Sequence, residues 1–216
     1  MSIVINGSGT ISGISVGGLP DSIVDAGTLA TNSVDSAELI DGAIDTAHIA
    51  ANQITSAIMP AGSIVQVVQS TFSGSSSIAT SSDAWQAIGN SVSITPSRTS
   101  SKILFTCSGF TPHVNPSANN NGTDVSLYQQ VASGGYSKVE GTNDNAISYW
   151  KDSNSWIDMP GHFEVMYTPS YTSGQQINLQ PYFRRADSNV SSHYFHHHGG
   201  AGAANIIRLI AMEIAG

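Results

Sequence analysis

The chain has 216 residues, 40% of them hydrophobic and only 10% charged, which gives room for one domain or a domain with an extension and excludes a charge-expanded disordered chain. A net charge of −8, with no Lys or Arg before Arg98, excludes binding to naked nucleic acid through its phosphates. The single cysteine, Cys107, excludes an intrachain disulfide. It sits in the apolar run SKILFTCSGF and reads as a buried, inert thiol compatible with a reducing cytoplasm. No basic segment leads into an apolar one at the start, and no apolar run spans a bilayer, so neither a secretion leader nor membrane insertion is expected.

In chain order, residues 1–13 form a short Gly- and Ser-bearing segment suited to attachment. From Ile14 an internal repeat takes over, and such a repeat outranks local readings. Ile14, Leu19, Val24, Leu29, Val34, Leu39, Ile44, Ile49, Ile54, Met59 and Ile64 recur every five residues. On a straight helix that step turns each side chain by roughly 140° and builds no stripe. On a straight strand residues i and i+5 face opposite sides. The chain must therefore bend within each unit, and Asn32-Ser33, Asp41-Gly42 and Asn52-Gln53 supply turn chemistry. A ten-residue register lies over the pentads: Val34-Asp35-Ser36-Ala37, Ile44-Asp45-Thr46-Ala47 and Ile54-Thr55-Ser56-Ala57. Asp35 followed by Glu38 resembles a capping box, consistent with one helical turn per decapeptide.

Such a unit cannot fold alone. One aliphatic side chain contributes about 2–3 kcal/mol on burial, whereas ordering five residues of backbone costs about 1–2 kcal/mol each. Several copies wound about one axis, each donating a rung per layer, reverse that balance, and three copies are the expected number. Residues 14–60 are thus expected to form a shaft whose core holds Leu29, Val34, Leu39, Ile44, Ile49 and Ile54 from each copy.

After Met59-Pro60-Ala61-Gly62 the period falls to two. GSIVQVVQS, AWQAIGNSVSITP, SKILFTCSGF, DVSLYQQV, HFEVMYT, QQINLQPYF and NIIRLIAMEIA read as strands separated by polar, Gly- or Pro-bearing loops. The fold class expected is mainly β, with residues 61–216 an antiparallel β-sandwich or jelly roll. The last run is apolar on both faces, which places it in the core or in a subunit interface. Long polar loops at 112–122, 140–156 and 186–204 are where recognition is expected on a rigid β scaffold.

Three stretches resemble bacteriophage tail-fibre proteins of the marine and cyanobacterial type. These are the opening INGSGTISGISVGGLPDSIVDAG, the repeats DSAELIDGAIDTAHIA, and an ordered C-terminal set running from MPAGSIVQVVQ through SITPSRTSSKILFT and WIDMPGHFEVMY to LIAMEIAG. Together they cover most of the chain. The resemblance implies a homotrimeric virion fibre, assembled in the host cytoplasm, with a shaft and a head that binds a host-surface polysaccharide and has no enzymatic activity. Many such fibres open on a sizeable tail-docking domain. Here the repeats begin almost at Met1, a departure from that pattern; contact with other virion proteins is expected through the N-terminal segment, and the distal piece of a segmented fibre fits as well. A head fibre or capsid decoration protein fits the same residues, and a glycan depolymerase is the alternative from another class.

Two groups of side chains are candidate sites. Tyr136, Tyr149, Trp150 and Trp156 lie in or beside the polar loops, where flat rings can stack on sugar C–H groups while Asn, Asp and Ser take hydroxyls. Trp156, just before Ile157, reads equally as the start of a buried strand. HYFHHHGG places His196 and His198 two apart, so that on an extended chain both imidazoles point the same way. Three copies would then offer six nitrogens to one axial ion such as Fe(II), Ni(II) or Zn(II). The bland reading is a polar loop, and no cofactor is required. The carboxylates of the second half are scattered singly rather than paired for glycoside cleavage, and no nucleophile, phosphate-loop or zinc-protease signature occurs. No enzyme is expected.

Overall fold

The computed structural model describes residues 4–5, 11–12, 44, 47–51, 53–73, 77–114, 121–139, 147–151, 160–186, 193–196 and 205–216. The chain separates into two compact units, Met1–Gln53 and Ile54–Gly216. In the first, β1 (Val4–Ile5) and β2 (Ile11–Ser12) pair antiparallel. The second opens with a 3-10 turn at Ser56–Ile58, the only helical segment among the described residues.

The strands that follow are β3 (Ile64–Ser73), β4 (Ile78–Thr80), β5 (Gln86–Ala87), β6 (Val92–Ile94), β7 (Lys102–Phe110), β8 (His113–Val114) and β9 (Asn121–Val131). Then come β10 (Ser137–Lys138), β11 (Ile147–Lys151), β12 (Gly161–Tyr167), β13 (Ile177–Arg185), β14 (His193–His196) and β15 (Ile206–Ile214). Every pairing among them is antiparallel. One sheet runs β12-β7-β15-β3. A second is built on β9 and β13, with β10 and β11 beside β9, and β5 and β6 beside β13. A small third sheet runs β4-β14-β8.

The pairs nest. β3 meets β15, β6 meets β13, β7 meets β12 and β9 meets β11, so eight strands form one long hairpin. Rolling it sends successive pairs to opposite sheets, which is jelly-roll connectivity. The mainly β, antiparallel expectation therefore holds for this unit.

The alternation read in the sequence explains the core. Ile103, Phe105 and Cys107 of β7 and Ile207, Leu209 and Ala211 of β15 point inward from one sheet. Val125 and Leu127 of β9 and Ile177, Leu179 and Phe183 of β13 point inward from the other. Burial pushes the Cys107 thiol far above its ordinary range, which leaves it protonated and unreactive.

One bulge re-aims a residue that the alternation alone would misplace. Gly161 pairs with Phe110, but His162 pairs with Ser108, so Gly109 is the extra residue in β7. Its φ of +82° favours glycine, and a Cβ there would strike the Ile206 carbonyl. The bulge turns Phe110 into the core. Its ring stacks on Phe195 at 4.4 Å and meets Phe163 and Tyr149 edge-on at 6.1 Å each.

Glu213 locks the C-terminal strand from within. The residue is fully buried, and its carboxylate accepts hydrogen bonds from the Ser101 hydroxyl at 2.6 Å, Gln66 Nε2 at 2.6 Å, the Ser97 N–H at 2.9 Å and the Arg98 N–H at 3.2 Å. Desolvation alone would raise its pKa. The hydrogen bonds, led by Ser101 and Gln66, outweigh it and hold the carboxyl below its ordinary value.

All three expected loops contain strand residues: β8 and the start of β9 fall within 112–122. Within 140–156 lies β11, and within 186–204 lies β14, where His193, Phe195 and His196 are all buried. A run of histidines scores as polar, yet imidazoles with hydrogen-bond partners bury readily.

Candidate functional site

The strands of the β9–β13 sheet that send one set of side chains inward send the alternate set to the opposite face. Register decides which of these meet. Asn178 opposes Gln130, Gln180 opposes Tyr128, Tyr182 opposes Ser126 and Arg184 opposes Asp124. β10 adds Lys138 opposite Tyr128, β6 adds Ser93 opposite Asn178, and β11 adds Ser148 opposite Asp124.

The result is a banded surface. An amide band runs from the Ser93 hydroxyl, which donates to Asn178 Oδ1 at 2.6 Å, through Asn178 Nδ2 to Gln130 Oε1 at 2.8 Å. Gln130 Nε2 in turn donates to the Gly134 carbonyl at 2.7 Å. Beside it lies an aromatic band. Tyr128 and Tyr182 stack with centroids 4.0 Å apart, Tyr136 leans on Tyr182 at 5.9 Å, and Trp85 tilts against Tyr128 at 6.0 Å. Burial raises the phenol pKa of both Tyr128 and Tyr182, so both rings stay neutral donors and acceptors at ordinary pH.

The third band is ionic. Arg184 Nε and Nη2 each lie 3.1 Å from Asp124 Oδ2, and Ser148 donates to Asp124 Oδ1 at 2.6 Å. Both cations of this neighbourhood also face Trp85, with Lys138 Nζ 4.8 Å and Arg184 Cζ 4.6 Å from its ring centroid. Lys138 also borders a cleft of about 200 Å³ lined by Gln129, Ser137, Tyr167, Thr168 and Ser170. That volume is smaller than an ordinary enclosed ligand pocket. The arrangement suits a flat molecule lying across rings, held at its edges by amides, hydroxyls and cations.

Of the residues expected to meet a glycan, Tyr136 belongs to this platform. Tyr149 does not: its ring packs edge-on against Phe110 beside the core, and burial raises its phenol pKa. Trp150 lies in β11 opposite Gly122. Trp156, His198, Leu29, Val34 and Leu39 lie outside the described residues. His196 is buried, and its Nδ1 accepts the Thr111 N–H at 3.1 Å. Among the described residues no group of three His, Cys, Asp or Glu side chains is placed to hold a metal ion. Ile44, Ile49 and Ile54 are 51%, 38% and 60% exposed in the single chain.

Sequence reasoning missed Trp85, Tyr128, Tyr182, Lys138 and Arg184. Tyr128 and Tyr182 stand in alternating runs, DVSLYQQV and QQINLQPYF, at positions of polar parity. An aromatic ring at a solvent-side strand position was the available signal.

No helix among the described residues is long and apolar enough to cross a membrane. No family model matches the chain, and no curated protein does. Solved structures similar to it include the Eiger TNF of S. frugiperda, at 10% identity with 67% of this chain and 90% of that chain covered and a TM-score of 0.34. They also include infectious bursal disease virus, Gx strain, at 10% identity with 70% of this chain and 38% of that chain covered and a TM-score of 0.24. At such TM-scores neither likeness carries an argument about this chain, and the functional reading rests on its own residues.

Proposed function

We propose that this chain is a non-enzymatic fibre protein of a bacteriophage virion, self-associating as a homotrimer, whose β-sandwich adsorbs to a host-surface glycan. The observation that carries the binding half is the platform of Trp85, Tyr128, Tyr182 and Tyr136, four rings each touching the next on one sheet face. Pyranose C–H faces stack on such rings, while the Ser93 hydroxyl, the Asn178 and Gln130 amides and the Lys138 and Arg184 cations take hydroxyl or acidic substituents. The self-association half is supported by the pentad rungs Ile44, Ile49 and Ile54, which their own chain leaves partly exposed. No cofactor takes part in this reading.

The test is binding of the purified chain to host cells and to their isolated polysaccharide, wild type against Tyr182→Ala and Trp85→Ala. Each substitution is expected to weaken binding about tenfold, the loss of one central aromatic anchor. Equal binding by all three proteins contradicts the platform. No binding to any host surface favours capsid decoration, and release of reducing sugar would make the protein a depolymerase.

A further inference from the structure

The other sheet, β12-β7-β15-β3, also has an outer face, and its composition is different. Register lines up one side chain from each of its four strands: Met166 opposes Leu104, Leu104 opposes Met212, and Met212 opposes Val67. An unbroken apolar row therefore crosses the whole sheet on the side away from the core. Along β15 the same parity brings Ile206, Ile210 and Ile214 to this face, and Ile214 opposes Ile64 of β3. Met166, Val67, Ile64 and Ile206 are 62%, 54%, 53% and 52% exposed. Beyond residue 60, every exposed large apolar side chain among the described residues belongs to this sheet. Singly exposed apolar residues are normal, but a contiguous row in register marks an interaction surface.

We propose that this face is where copies of the chain meet, so that the sandwich joins in the self-association proposed above, on which this inference rests. Two observations select a second copy as the occupant. The first is continuity along the chain. Ile64 is the last rung of the pentad series and also the first outward side chain of β3. In chain order the exposed rungs Ile44, Ile49 and Ile54 are followed by half-buried Met59 and then by exposed Ile64. A repeat that needs sister copies to gain an interior delivers those same copies to this sheet. The second is charge. Lys102, Glu164 and Arg208 share the face through the same register, opposite Ile214, Thr106 and Ser108 respectively, and they form no ion pair among the described residues. Both signs on one face complement a copy of that face, whereas a partner of one sign is repelled by part of it. This also accounts for a last strand that is apolar on both sides: one side meets the core and the other meets a neighbour.

Sedimentation of the full-length chain over a concentration series tests the proposal, comparing wild type with Val67→Lys/Met212→Lys and checking folding by circular dichroism. The wild type is expected to sediment as an oligomer. The folded double variant, which keeps only the shaft rungs to hold its copies, is expected to associate at least a hundredfold more weakly than wild type. A double variant whose association constant equals that of wild type overturns this face as a contact while leaving the fibre reading intact. A wild type that stays monomeric at every concentration overturns both. Should the double variant fail to fold, Met166→Ser, whose side chain is largely exposed, is expected to weaken association about tenfold, and an unchanged constant overturns the proposal. Polysaccharide binding is measured in parallel. Its loss in wild type removes the glycan half of the reading without touching this one.

Discussion

On the outer face of the β9–β13 sheet, each ring has polar neighbours that orient it, and the bands of amides, rings and ions run side by side. On the outer face of the β15 sheet, apolar side chains oppose one another strand after strand, with charges spaced around them. The two faces share a core and differ only in what alternates with it. A strand always has two faces, and the inner one is fixed by burial. The outer face is where sequence choice remains open. In β13 it carries Asn178, Gln180, Tyr182 and Arg184. In β15 it carries Ile206, Arg208, Ile210, Met212 and Ile214.

The largest expected effect breaks both faces together. Phe110 stands where Phe195, Phe163 and Tyr149 converge, so Phe110→Ala should cost about 3–5 kcal/mol of stability. Denaturant unfolding should show it, with glycan binding and oligomer mass lost at the same midpoint. Loss of one property well before the other would show that the faces do not depend on a common core.

Next comes Glu213, which ties β15 to residues 97–101. Glu213→Gln should cost about 3 kcal/mol at neutral pH, since it removes charged hydrogen bonds inside the fold. The sign with pH follows from its lowered pKa. A carboxyl held below its unfolded value stabilises the fold above that value, and the contribution is lost as pH falls through the folded pKa. The gap in Tm between wild type and Glu213→Gln should therefore be widest near neutrality and close in acid, below about pH 4. A gap that persists at low pH contradicts an ionised Glu213.

A smaller change sharpens the comparison on one side alone. Asp124→Asn leaves Arg184 without its carboxylate and should lower stability by about 1–2 kcal/mol. It should also weaken polysaccharide binding, with sedimentation unchanged. The smallest effect is expected from Asn178→Ala, which interrupts the relay between Ser93 and Gln130 at about 0.5–1.5 kcal/mol. Its mark should be a changed preference among sugars in an array rather than a lost one.

The long strands were legible because period-two alternation in runs such as SKILFTCSGF and NIIRLIAMEIA records a buried face directly. β11 and β14 were not. They are short, and their Tyr, Ser and His residues read as loop until tertiary partners cover them. The turn of Phe110 into the core depends on the bulge at Gly109, which no alternation rule reveals. The platform was illegible for a different reason. Trp85, Tyr128, Tyr136 and Tyr182 come from four separate segments, and only strand register brings them together. Tyr149 and Trp150 looked exposed because their flanks are polar, yet Tyr149 belongs to a strand that turns its ring toward Phe110.

Oxidative footprinting of the wild-type chain, at concentrations where it is assembled and where it is dilute, tests the division of labour between the faces most directly. In the assembled state Met166 and Met212 are expected to be protected while Trp85, Tyr128 and Tyr182 stay reactive, the latter gaining protection only when host polysaccharide is added. Met166 and Met212 oxidising equally fast at both concentrations, or the aromatic trio shielded by assembly alone, would contradict the assignment of one face to sister copies and the other to a glycan.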